Sequence, residues 1–174
     1  MNVTFHTTGA LATAAFLSST QVHAVSEDRT VPRCSLLIGV IAVVAGIVEH
    51  GIMDYLPHSY PIPSGVDVFV SITLFVVAIG LTRPKFRVLV TACFIGSILP
   101  DLVDLGPPIL NRHLDWTLPT VRIYPWHWPQ YSGSLYHGAK KLQSVVSHSV
   151  LIGVCVSLCW FYRHSLFAFA SERT

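Results

Sequence analysis

The chain predicts an all-α fold, a polytopic membrane helix bundle, and three observations carry that prediction. Of its 174 residues, 52% are hydrophobic and only 11% charged, which is too apolar for an ordinary soluble domain. Apolar stretches near the ~20 residues needed to cross ~30 Å of hydrocarbon recur between polar breaks. No alternating strand pattern and no internal repeat interrupts them. The expected architecture is one membrane-embedded domain over residues 1–174, with about five spans and a long extracytoplasmic loop. A net charge of +2 gives a nucleic-acid partner no electrostatic support, so the lipid bilayer is the expected environment.

Val3 to Val25 make the first, moderately apolar segment. Val22-His23-Ala24 has the look of a signal-peptide cleavage site, but no Lys or Arg precedes the apolar core, which favours an uncleaved span. Arg33 precedes the second span, Cys34 to about Leu56, whose first part, Cys34 to Val48, contains no charge. The third span runs from about Val66 to Leu81 and ends at Arg83, Lys85 and Arg87. The fourth, Val88 to about Leu105, contains Pro100, which lacks an N–H and is expected to kink or end the helix. A Pro- and aromatic-rich connection, residues 106–138, reads as a lid. The fifth span covers about Leu142 to Tyr162. Cys34, Cys93, Cys155 and Cys159 lie in or beside apolar runs and read as buried small hydrophobes rather than metal ligands.

Basic residues near span ends are retained in the cytoplasm. With simple alternation of five spans, Arg29 and Arg33, then Arg83, Lys85 and Arg87, then Arg163 and Arg173 share one side, which puts the amino terminus outside. The same alternation sends His6, His50, Asp54, His58, Asp67, Asp101, Asp104 and the loop histidines His113, His127 and His137 to the outer end, with His148 facing it. His23 and His164 are left as interface residues at the cytoplasmic end.

Ionisable residues in or at the edge of hydrocarbon are costly and mark functional sites by default. His50 and Asp54 are four apart and share a helix face, so both reach one ion. Asp101 and Asp104 are three apart and share a face if the helix continues past Pro100. A metal site in a helical bundle needs imidazoles and carboxylates at a common height, and His6, His50, Asp54, Asp101, Asp104 and His148 supply them. Nitrogen and oxygen ligands without thiolate suit zinc, manganese or iron, with zinc the default and room for a second metal among so many carboxylates. His58, His137 and Ser149 stand next as outer partners or further ligands. Asp67 reads as a helix start whose carboxylate satisfies unpaired amides, and His127, between Trp126 and Trp128, as part of an interfacial aromatic belt.

At these residues the chain resembles the YdjM-type family of small bacterial inner-membrane proteins described as metal-dependent hydrolases, and more distantly zinc-dependent phospholipase C. Four short motifs carry the resemblance: His6 with Gly9-Ala10, His50-Gly51-Ile52-Met53-Asp54 running into Leu56-Pro57-His58, Gly96-Ser97-Ile98-Leu99-Pro100-Asp101-Leu102-Val103-Asp104, and Ser147-His148-Ser149. Leu105 and Gln143-Ser144-Val145 depart from the family pattern, which has histidine after the Leu-Pro-Asp-x-Asp run and His-Arg-Gly before the last motif. The resemblance implies a membrane-embedded hydrolase in the bacterial cytoplasmic membrane whose His and Asp residues hold the metal.

The expected function is therefore metal-dependent hydrolysis of a lipid or phosphate ester at the outer membrane face, with Asp104 as the catalytic carboxylate that takes a proton. Two other readings use the same residues. A metal or ion transporter would spread them over several depths, and a non-catalytic scaffold would use them as interhelical hydrogen bonds worth ~0.6–2 kcal/mol each.

Overall fold

The computed structural model describes residues 2–25, 34–135 and 141–168, and they are helical throughout apart from loops and turns. Seven helices follow in order: α1 Val3–Val25, α2 Cys34–Tyr55, α3 Ser64–Leu81, α4 Arg87–Asp104, α5 Gly106–Leu114, α6 Lys141–Phe161 and the single turn α7 Arg163–Leu166. Short 3-10 turns lie at Pro84–Phe86 and Pro125–His127.

Among the described residues four helices are long and apolar enough to cross a membrane: Leu36–Tyr55, Ser64–Leu81, Pro84–Asp104 and Leu142–Phe161. The fifth expected span, α1, has the length at 23 residues but falls outside that set. Several of its Thr and Ser hydroxyls turn back onto their own helix, with Thr7 Oγ1 donating to Val3 O, Thr8 Oγ1 to Thr4 O and Ser18 Oγ to Ala15 O. Its surroundings account for this composition, because α1 packs against α2, α3, α4, α6 and α7. A helix with neighbours around most of it needs small residues that let them approach. Ala10, Ala12, Ala14, Ala15 and Ser18 are accordingly buried. The outer helices invert the pattern, exposing Leu36 and Val40 on α2, Phe69 and Ile72 on α3, and Val146 and Val150 on α6, as faces turned to lipid do.

α2 and α4 form the most extensive pair and meet through glycines. A Cβ on Gly96 would stand 2.1 Å from Val43 O, and one on Gly46 2.3 Å from Cys93 O. Only hydrogen fits at either place. This close approach runs the two helices side by side, so that the carboxyl-terminal turns of both arrive at one end of the bundle. The first turns of α1 and α3 and the amino-terminal half of α6 meet them there: Asp67 of α3 bonds to Val3 and Thr4 of α1, and Phe5 of α1 stacks on His148 of α6. At the opposite end, Arg83 N donates to Leu166 O, which brings the basic turn Arg83–Arg87 beside α7.

Two local expectations change. α4 runs unbroken through Pro100, and Leu105 N donates to Asp101 O at 2.8 Å, so helical bonding continues beyond the proline. Asp101 and Asp104 therefore stay on one helix. Asp67 does cap a helix start, but the helix is α1 rather than its own: its carboxylate accepts from Val3 N at 2.7 Å, Thr4 N at 2.9 Å and Thr4 Oγ1 at 2.7 Å. The parallel packing of α1 and α3 puts that carboxylate nearer the amides of the neighbour.

The connection after α4 is not a featureless lid. It forms α5, runs extended to Tyr124, and turns through Pro125–His127. Residues 132–135 then lie along the end of α2, where Gly133 N donates to Asp54 O, His58 N to Gly133 O and Leu135 N to His58 O. A terminal carbonyl of α2 that has no partner within the helix is satisfied in this way.

Candidate metal centre

The site is assembled from α2, α4 and the loop turn. His50 and Asp54 come from the last turns of α2, Asp101 from the end of α4, and His127 from the 3-10 turn. These four residues each offer one ligand atom, all within 4.8 Å of one another, with three of the four buried. His50 Nε2 lies 3.4 Å from Asp54 Oδ2, 3.7 Å from Asp101 Oδ1 and 3.3 Å from His127 Nε2. His127 Nε2 lies 3.3 Å from Asp54 Oδ2 and 3.2 Å from Asp101 Oδ1. Metal bonds of ~2.0–2.2 Å in a tetrahedral site put neighbouring donor atoms roughly 3.3–3.6 Å apart. The separations given, 3.2–3.7 Å, lie around that figure.

The outward nitrogens set the chemistry of the inward ones. His50 Nδ1 faces the carbonyl of Ser97 and donates to it, which leaves Nε2 with its lone pair. His127 Nδ1 donates to Asp104 Oδ2 at 2.9 Å, with the same consequence. Once His127 gives up its Nε2 proton, two imidazole lone pairs and two carboxylate oxygens converge on one point. Four acceptors so close repel one another unless a cation lies among them, and a divalent metal suits the set better than a single proton shared between them.

Asp104 is placed differently from its expected role. Its Oδ1 accepts from Ile123 N at 2.8 Å, and its Oδ2 from Tyr124 N at 2.9 Å and from His127 Nδ1. With both oxygens engaged it is neither in the four-membered group nor free to take a proton. It orients the His127 imidazole and raises its basicity, the place a supporting carboxylate would take were a metal held by that ring. Arg122 completes the turn by donating from Nη1 to His127 O at 2.8 Å.

His127 is the residue that sequence reasoning assigned to an aromatic belt. The structure instead carries it down from the loop into the group, while Trp126 packs over Gly51 and the Tyr55 ring. The available signal was a single histidine held between Pro125 and Pro129, a segment too stiff to be an ordinary loop. Burial opposes a charge on this imidazole, but its bonds to Asp101, Asp54 and Asp104 outweigh that and push its pKa up to about 10. The loop end of the site therefore calls for positive charge.

The remaining expected residues separate into near and far. His6 stacks on His50, with ring centroids 4.0 Å apart, and its Nε2 lies 3.4 Å from Asp54 Oδ1. His58 is buried beside the same oxygen at 3.9 Å, and burial lowers its pKa to about 4. His148 stands apart, stacked on Phe5 with its Nδ1 3.4 Å from Ser144 Oγ. Ser149 is exposed on α6, and His113 is exposed on α5. His137 lies outside the described residues. Glu49 is not a member of the group, and its Oε2 accepts from Ser97 Oγ at 2.7 Å. Cys93 and Cys155 are buried free thiols among apolar neighbours. Comparison with protein-family models, with curated proteins and with solved structures returned no match, so the centre is characterised by its own geometry.

Proposed function

We propose that this chain is a membrane-embedded, metal-dependent hydrolase of the bacterial cytoplasmic membrane, acting on a lipid or phosphate ester at the outer face. The observation that carries the reading is the convergence of one ligand atom each from His50, Asp54, Asp101 and His127 within 4.8 Å of one another. The resemblance of four short motifs to YdjM-type proteins is in keeping with that reaction class. Zinc is the favoured metal, since the donors are nitrogen and oxygen only and their spacing lies around the tetrahedral figure. A metal held there would supply Lewis acidity and lower the pKa of a bound water from ~15.7 toward ~7.

The chain's own residues divide the rest of the work. His50 is fixed by the Ser97 carbonyl and His127 by Asp104, so neither ring has to reorganise when the site is filled. Asp101 keeps 25% of its side chain exposed, against 6% for Asp54, and marks the side from which water and substrate arrive. With Asp104 engaged elsewhere, the oxygen of Asp101 that is not among the four donor atoms is the accessible one for accepting a proton from water. Arg122, beside the turn, is the cation available to an anionic ester.

The deciding experiment measures metal in the purified, detergent-solubilised protein, then turnover of lipid phosphate and carboxylic esters in mixed micelles with and without chelator. Stoichiometric metal and chelator-sensitive hydrolysis are expected. Protein that holds no metal removes the centre, and metal-loaded protein inert on every ester removes the hydrolase reading.

A further inference from the structure

We infer that Asp54 bridges two metal ions, the second held between its Oδ1, His6 Nε2 and His58 Nε2. The inference rests on the centre proposed above, whose ion takes the other oxygen, Oδ2. Asp54 presents its two oxygens to two different sets of imidazoles. Oδ2 faces His50 and His127 at 3.4 and 3.3 Å. Oδ1 faces His6 at 3.4 Å and His58 at 3.9 Å. A carboxylate that turns one oxygen to each set of nitrogens is the bridging group of paired-metal sites, where the ions stand ~3.5–4 Å apart.

His6 supplies the independent observation. Its side chain is 1% exposed, and neither Nδ1 nor Nε2 makes a hydrogen bond among the described residues. A neutral imidazole carries one donor and one acceptor, and leaving both unmet in the interior costs about 1–3 kcal/mol each. His6 Nε2 lies close to Asp54 Oδ1 without the alignment of a hydrogen bond, as a ligand aimed at a common ion does. His58 is prepared in the same sense as His50 and His127. Its Nδ1 donates to the Leu56 carbonyl at 2.8 Å, which leaves the lone pair on Nε2. Ser134 Oγ at 3.0 Å and the Tyr60 hydroxyl at 3.4 Å also meet that nitrogen, so metal binding there exchanges their hydrogen bonds for a ligand bond. The set has two nitrogens and one oxygen and no thiolate, which suits the same metals as the first.

The test counts metal in the full chain and reads its spectrum with manganese as the probe. Protein loaded with Mn(II) in detergent is expected to hold two ions and to give the electron paramagnetic resonance signal of an exchange-coupled pair. The double variant His6→Ala, His58→Ala is expected to hold one ion with the six-line signal of isolated Mn(II), while His6→Gln alone should weaken the second ion at least tenfold and leave the first. One ion in the wild type, lost on His50→Ala, overturns the second site and leaves the first standing. Two uncoupled ions in the wild type overturn the Asp54 bridge. No ion in the wild type overturns both. Because the wild-type count and signal already decide between these outcomes, a variant that fails to fold leaves the conclusion intact.

Discussion

Asp104 shows how far a single residue's role depends on what reaches it. Its spacing from Asp101 put it on the correct helix face, yet three donors from the loop occupy it and convert it into the support of His127. Asp104→Asn should therefore lower metal affinity about 10–100-fold, as loss of a supporting carboxylate does, while His50→Ala, which removes a donor atom, should lower it further. Titration calorimetry of both variants measures the order, and an unaffected Asp104→Asn would return Asp104 to the surface of the problem. His127 adds a dependence on pH. Its proton is held up to about pH 10, and a metal has to displace it. Apparent affinity should rise about tenfold per pH unit below that value, with about one proton released per ion. Affinity that stays flat between about pH 7 and 9 would contradict this linkage. In chelator-treated protein the same raised pKa contributes stability that is fully present below 6.5 and is lost as the pH rises through about 10. The role of His127 was hidden because its two tryptophan neighbours suit an interfacial belt equally well, and only the path of the loop decides.

Helix placement rests on small contacts with large leverage. Gly46 and Gly96 let α2 and α4 touch backbone to backbone, and Ser97, next in line, offers the carbonyl that fixes His50. Gly96→Leu should cost about 1–3 kcal/mol by overpacking and also weaken metal binding by moving that carbonyl. Thermal unfolding with a parallel metal titration checks both, and a variant with lowered stability but unchanged affinity would separate the helix contact from the site. Asp67→Ala should destabilise the protein by about 0.5–2 kcal/mol, through the freed amides of α1 rather than of α3. Hydrogen exchange at Val3 and Thr4, compared with the first turn of α3, reports which helix loses its cap. The boundaries of α2, α3, α4 and α6 were legible because membrane spans are written in hydropathy. The position of α1 was not, since a central helix needs small residues more than apolar ones.

Taken together, the molecule gathers its His and Asp group at one end and its basic turn at the other. Cysteine labelling in the turn Thr82 to Arg87, on a background lacking the native thiols, should proceed only from the cytoplasmic side. Labelling from the outer side would reverse the orientation and carry the centre to the cytoplasm with it. Metal loading should stabilise the whole bundle by about 2.7 kcal/mol at one hundred times the dissociation constant, because the ion binds only where three segments of chain meet. Unfolding temperatures indifferent to chelator would count against the centre. The amino-acid sequence by itself determined the all-helical class, four of the five spans it led one to expect, and the pairing of His50 with Asp54, because hydropathy and the helical repeat are local properties. Only the tertiary structure decided that His127 enters the group, that Asp104 stands behind it, that His148 stays out, and that Asp54 turns its second oxygen to His6 and His58. Those contacts join residues up to 77 positions apart, and no local pattern records which way a loop folds back or which oxygen of a carboxylate it meets.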